Sequence, residues 1–331
     1  MSTGSGSTRL WKFIQPAIQL VGAIPNLWNQ FWFESNHAFA FDRFRRVFAL
    51  VLLACYSVRT FDLNLFYSNS GILPLSSVPE ATYMEGRYSI LFFFTSDAAL
   101  WFFHFLFLFS LAVMVVGPTR KRISATTVKV FSVLALILHI SFLHRMIVIA
   151  YGVDLISVFF LAYLCLGDFR KNSIHQDANG LSVAGTDWQS LLGSVAYRLV
   201  QLQLCIIYAF SGCEKLKGTH WWRGEAVWDM MANAQIARID ATWLAHYPAL
   251  ITLMTFTALI WEIYFPVLVW VKTLRPYVLL VGLAMHAMIM ITIDIPYFSL
   301  MMMTPYLLFM DRKTLVQLTQ TANKASYTKK V

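Results

Sequence analysis

The stretch YAFSGCEKLKGTHWWRGEAV, Tyr208 to Val227, closes an apolar run that begins near Leu199. A run of about twenty apolar residues is long enough for a helix to cross the hydrocarbon of a bilayer. This run ends by placing Glu214, Lys215, Lys217, His220, Trp221 and Trp222 close together. A lysine at the end of a span ordinarily snorkels to the interface as an anchor. A lysine shielded from water among acids and aromatic rings can instead lose its proton and serve as a base. The residues alone allow both readings, and Lys215 is the first candidate for chemistry.

Composition supports the membrane reading. Of 331 residues, 58% are apolar and 13% are charged, against roughly 25% charged in an ordinary soluble domain. The formal charge of +9 does not point to nucleic acid, because Lys and Arg sit in short flanks between apolar runs, where they set topology. Cys55, Cys165, Cys205 and Cys213 lie in or beside apolar runs and form no CxxC. That spacing gives neither a disulfide framework nor a zinc site. "MSTGSGSTR" is a small polar tail, and the run after it is broken by Pro16 and Pro25, so no signal peptide is expected.

Three segments are expected: a tail and interfacial helix over 1–38, a transmembrane domain over 39–311, and a polar cytoplasmic tail over 312–331. Within 10–33, apolar residues recur with helical spacing and tryptophans fall at 11, 28 and 32, the pattern of an amphipathic helix lying in the interface. Spans are expected near 44–63, 98–117, 128–149, 153–168, 193–213, 247–271, 276–294 and 297–311. The fold class is therefore all-α, a polytopic bundle of about eight spans. With that count the side holding both termini, side A, carries 18 Lys and Arg, and the other, side B, carries five. The positive-inside rule makes side A cytoplasmic. The long loops near 64–97 and 214–246 then lie on side B, and the setting is an inner or cytoplasmic bacterial membrane.

Charges inside spans are expensive and must find partners. His144 and Arg145 come late in the third span, and Asp154 sits at the turn into the fourth. Arg145 and Asp154 are expected to meet, either as a structural ion pair or with Arg145 free to anchor a substrate carboxylate or a quinone oxygen. Glu262 lies midway along the sixth span and is expected to be protonated or paired. His286 lies midway along the seventh. His139, about one turn before His144, is expected to face the same cavity. Without a CxxC or HExxH these histidines specify no metal.

Taken together, four stretches resemble the horizontally transferred transmembrane (HTTM) domain, the membrane portion shared with vitamin K-dependent gamma-carboxylases. They are YRLVQLQLCIIYAFSGCEKLKGTHWWRGEAV, LHRMIVIAYGVDLISVFFLAYLCLGD, WEIYFPVLVW and MHAMIMITIDIPYFSLMMM, and the resemblance runs over roughly 40–311. It implies a base at Lys215 that deprotonates a vitamin K-like hydroquinone, with His144, Arg145, His286 and Trp222 positioning that partner. It also implies carboxylase- or epoxidase-like, lyase-type chemistry. The second lysine of the carboxylases' Lys-Lys-Leu triplet falls on Lys215, residue 214 is Glu where the first would stand, and no ectodomain for a protein substrate is expected. Processive carboxylation is therefore not expected. A second reading, from another class, is a non-catalytic membrane partner in the maturation or export of a secreted peptide of the sporulation-delaying type.

Overall fold

A computed structural model of the chain describes residues 22–33, 37–78, 87–118, 123–167, 169, 174–176, 182–184, 188–312 and 314–317. The first part of the expected interfacial helix, 10–21, and the tail beyond 317 lie outside these. The described part of that helix, α1 (22–33), exposes Ile24, Leu27 and Trp28. Its Phe31 packs on Trp270 at 5.6 Å and gives its carbonyl to Arg198 Nε at 2.7 Å.

The bundle is built from α2 (Ala38–Arg59), a short α3 (Leu63–Tyr67), α4 (Asp97–Val116), α5 (Ala125–Arg145) and α6 (Gly152–Leu166), followed by α7 (Trp188–Lys215), two short helices α8 (Thr219–Arg223) and α9 (Ala226–Met231), then α10 (Pro248–Leu268), α11 (Arg275–Thr292) and α12 (Pro296–Met303). A small antiparallel hairpin, β1 (Ile174–Gln176) and β2 (Ser182–Ala184), lies between α6 and α7. Local chemistry sets the helix ends. Ser96 and Ser124 accept the backbone N–H of Ala99 and Thr127, relieving donors that a helix start leaves unpaired. Pro248, Pro276 and Pro296 occupy first turns, where the missing N–H costs nothing. Gly117, at φ +67°, stops α4.

Neighbours in sequence pack as neighbours in space. The series α2–α4–α5–α6 makes one half, α7–α10–α11–α12 makes the other, and α6 on α7 and α12 on α2 join them. Phe44, Phe48, Phe107, Phe142, Phe160 and Phe265 are fully buried in one continuous core. On the outside, Phe102, Phe105 and Phe109 of α4 and Leu253, Ile260 and Val267 of α10 are exposed. Apolar stripes of this kind suit acyl chains, which satisfy a helix surface without burying it in protein.

Among the described residues five helices, α4, α5, α7, α10 and α11, are long and apolar enough to cross a membrane. α6 and α12 are shorter, and α2 carries Asp42, Arg43, Arg45 and Arg46 in its first turns. The structure thus supports five of the eight expected spans by length and composition. The chain does alternate between two ends of the bundle. At the side-A end, Arg46 bonds the carbonyls of Val115 and Val116, Tyr197 bonds that of Leu308, and Arg275 reaches Val269 and Phe309. At the opposite end Arg59 meets Asp154, and Ser89 gives its hydroxyl proton to the Ser141 carbonyl.

Candidate functional site

Lys215 closes α7, but it does not lie at the level of a helix end. Its Nζ is 2.6 Å from Glu262 Oε2 and 2.6 Å from Ser211 Oγ. Glu262 is two-thirds of the way along α10, about 21 Å from that helix's start at 1.5 Å per residue. A snorkelling anchor would end near the helix termini, so this depth favours the buried-group reading. Segment 216–247 folds back over the lysine along the first half of α10. Val227 N–H donates to Thr255 Oγ1 at 3.2 Å, and Gly224, at φ +75°, fits against Thr252.

The pairing follows from two local features. Gly212 lets α7 approach the α10 backbone closely, since a Cβ there would stand 2.9 Å from Ile263 Cγ1 and 3.1 Å from Ile263 N. One turn on, Lys215 is delivered to Glu262. Pro266 has no N–H to offer the Glu262 carbonyl four residues earlier, so the helix ladder is interrupted where the carboxylate faces inward. Glu214, the neighbour in sequence, turns away and pairs with Lys217 at 2.6 Å.

Lys215 and Glu262 stand on the wall of a cavity of about 470 Å³ between α7, α9, α10, α11 and α12. Its lining is apolar and rich in methionine, including Met230, Met254, Met285 and Met288. A second polar group stands on the same wall. Tyr208, two turns before Lys215 on the same face of α7, has its hydroxyl 2.7 Å from His286 Nε2 and 2.9 Å from the Tyr306 hydroxyl. His286 is buried, and its Nδ1 has no hydrogen-bond partner. Buried polar atoms ordinarily have partners, and this nitrogen is one of the exceptions among the described residues. On the other side of α7 an open groove of about 640 Å³ runs past Gln203, Ile206 and Phe210 to the same Lys215.

The side-B end of the cavity is closed by the chain after α9. Ala237 forms a bridge with Ile293, Arg238 N–H donates to the Thr292 carbonyl and Asp294 N–H to the Ile236 carbonyl, both at 2.8 Å. In the same segment Asp240 accepts from Thr242 N–H and Oγ1–H. These bonds hold its carboxyl below the ordinary carboxylate range.

The expected site residues separate into two regions. Lys215, Glu262 and His286 come together in the cavity. Trp222 does not join them. It is exposed and its Nε1–H bonds the Leu216 carbonyl at 2.7 Å, whereas Trp221 lines the cavity with its ring centroid 5.2 Å from Lys215 Nζ. His144 and Arg145 are absent from its lining as well. His144 Nδ1 contacts the Tyr88 carbonyl at 2.8 Å, and Arg145 donates to the carbonyls of Ser68 and Leu73. The expected Arg145–Asp154 pair does not form. Asp154 receives two parallel bonds from Arg59, at 2.8 and 2.9 Å, because α2 ends where α6 begins while the Arg145 guanidinium turns to the loop after α3. His139 does not share a cavity with His144. It bridges the Tyr56 hydroxyl and the Asp154 carbonyl. Tyr208 and Ser211 were missed in the sequence, although the spacing 208, 211, 215 places both on the face of Lys215, and Trp221 was expected there only as cover shared with Trp222.

No curated protein and no solved structure matches the chain. The family model of the HTTM domain matches residues 180–313, a range that holds Lys215, Glu262 and His286 and leaves out His144, Arg145 and Asp154. The chain is a multi-pass membrane protein, and its cavity lies within the stretch that resembles the HTTM domain.

Proposed function

We propose that the cavity is the reaction site of a membrane enzyme of the carboxylase-like kind, acting on a quinone-like, lipid-soluble partner in a bacterial cytoplasmic membrane. The observation that carries this reading is the contact of Lys215 Nζ with Glu262 and Ser211 on the wall of an apolar cavity. Glu262 takes a proton from the lysine ammonium. The neutral amine then accepts the proton of a ligand hydroxyl and leaves an oxyanion beside the re-formed ammonium. Charge development of this kind is most strongly stabilised where water is excluded and the donors are already in place. His286 stands on the same wall, its Nε2 held by the Tyr208 hydroxyl, which in turn meets the Tyr306 hydroxyl.

The test is Lys215→Arg, which keeps the cation and its partners but cannot be deprotonated. Turnover of a reduced naphthoquinone by protein in nanodiscs should fall by roughly 10²-fold or more, the contribution of a positioned general base. Lys217→Arg, which alters only an exposed pair with Glu214, should leave turnover unchanged. A fully active Lys215→Arg protein would refute the proton-transfer role.

A further inference from the structure

We infer that the outer face of residues 214–229 lines a water-filled recess, which opens on side B and descends within the thickness of the bilayer to the level of Lys215. The span α10 sets the scale. At 1.5 Å per residue, Thr252 lies about 6 Å, Thr255 about 10 Å and Glu262 about 21 Å from its side-B end. Gly224 fits against Thr252, Val227 bonds Thr255, and Lys215 bonds Glu262. The end of α7, α8 and the start of α9 therefore lie beside the side-B half of a membrane-spanning helix and not above it.

At one depth the two surfaces present opposite chemistry. Glu262 is the one charged residue between Pro248 and Leu268, and the outer face of α10 exposes Leu253 and Ile260, which suits acyl chains. Beside it, Glu214 and Lys217 are 44% and 70% exposed, and His220, Glu225 and Asp229 are about half exposed. Lys217 meets Glu214 at 2.6 Å and His220 Nδ1 meets Asp229 Oδ2 at 2.7 Å, but each group still turns much of its surface away from the protein. A charged side chain at mid-bilayer is disfavoured by roughly a hundredfold on insertion scales, and several together would not stay in hydrocarbon. Water at this face removes that cost. The floor of the recess is set on α7. Phe210, one turn before Glu214, is apolar and 66% exposed, so acyl chains resume there. Water in the recess meets the exposed part of Lys215, 23% of its side chain, and gives a proton on that lysine an exit toward side B. The recess follows from depth and exposure, and it stands whether or not Lys215 acts as a base.

The test is nitroxide power saturation on the full-length protein in nanodiscs. The four native cysteines are replaced, and one spin label at a time is attached at Lys217→Cys, Phe210→Cys or Ile260→Cys, all exposed positions. Ile260, about 18 Å from the side-B end of α10, is close to Lys217 in depth. A polar nickel chelate reports water and molecular oxygen reports hydrocarbon. The nickel-to-oxygen accessibility ratio at 217 should exceed the ratios at 210 and 260 by about tenfold or more, because hydrocarbon excludes a polar chelate. High oxygen access at 217, with a ratio as low as that at 260, would place the segment against lipid and overturn the recess. Low access to both reagents at 217 would mean that another protein surface, such as a second copy of the chain, covers this face, which overturns it as well. An equally high ratio at 217 and 260 would mean that this end of the bundle projects from the bilayer, with no recess in it.

Discussion

Arg59 and Arg145 both lie at the side-B end of the bundle, yet among the described residues only Arg59 meets a carboxylate. Its two bonds to Asp154 form a planar fork, its guanidinium lies 4.6 Å above the Tyr56 ring, and Asp154 also accepts the Tyr151 N–H as part of the α6 cap. Removing one member of such a pair strands a buried charge and costs about 3–5 kcal/mol, whereas removing both costs less than the sum. Arg59→Met should therefore lower the thermal stability of the detergent-solubilised protein, and adding Asp154→Asn should restore part of the loss. The same cycle run with Arg145→Met and Asp154→Asn should be additive, because Arg145 spends its bonds on the carbonyls of Ser68 and Leu73. Coupling in the second cycle and none in the first would reverse this assignment. The wrong partner was chosen in the sequence for a definite reason. Arg145 and Asp154 are nine residues apart around one turn, and Arg59 is 95 residues from Asp154. Proximity along the chain is visible in a sequence, and the meeting of two helix ends is not.

At the scale of elements the site depends on how closely α7 and α10 approach. Without a hydrophobic drive between helices in lipid, packing at small residues holds such pairs together. Gly212 is the small residue here. Gly212→Ala would press a methyl onto Ile263 at 2.9 Å from Cγ1 and 3.1 Å from the backbone N, and overpacking of that kind costs about 1–3 kcal/mol. The substitution should lower thermal stability and, by spreading the two helices, weaken the Lys215–Glu262 contact one turn away. Turnover should fall with it, although no group in the cavity is altered. Unchanged stability and turnover would show that the approach is not tight in the membrane. The helices themselves were legible in the sequence. The expected spans 98–117, 128–149, 193–213, 247–271 and 276–294 correspond to α4, α5, α7, α10 and α11 with shifts at the ends, since long apolar runs leave few alternatives. Depth was not legible. Lys215 ends an apolar run, which reads as an interface, but α10 extends well past it toward side B and the chain turns back beneath that level. Two adjacent tryptophans likewise give no sign of which one turns inward, and Trp221 rather than Trp222 does.

For the whole molecule, charge and geometry bear on the same division. The loops that carry most Lys and Arg join helix ends that touch one another, as Arg46 does Val115 and Arg275 does Phe309, and the closure over the cavity, from Ala232 to Tyr247, lies at the opposite end. By the positive-inside rule the contacting, basic end is expected in the cytoplasm and the cavity's closed end outside. Gln235 lies in the closure, and Lys272 lies in the turn between α10 and α11, and both are exposed. In a background with Cys55, Cys165, Cys205 and Cys213 replaced, a cysteine at Gln235→Cys should react in intact cells with a membrane-impermeant maleimide. A cysteine at Lys272→Cys should react only after the cells are permeabilised. The result bears on chemistry as well as on orientation. If the closed end faces out, a ligand arriving from that side has to pass the Ala237–Ile293 bridge to reach Lys215. The reverse labelling pattern would put both termini outside and turn Lys215 toward the cytoplasmic leaflet, where soluble reductants reach the membrane surface, and the source of the reduced ligand would have to be sought there.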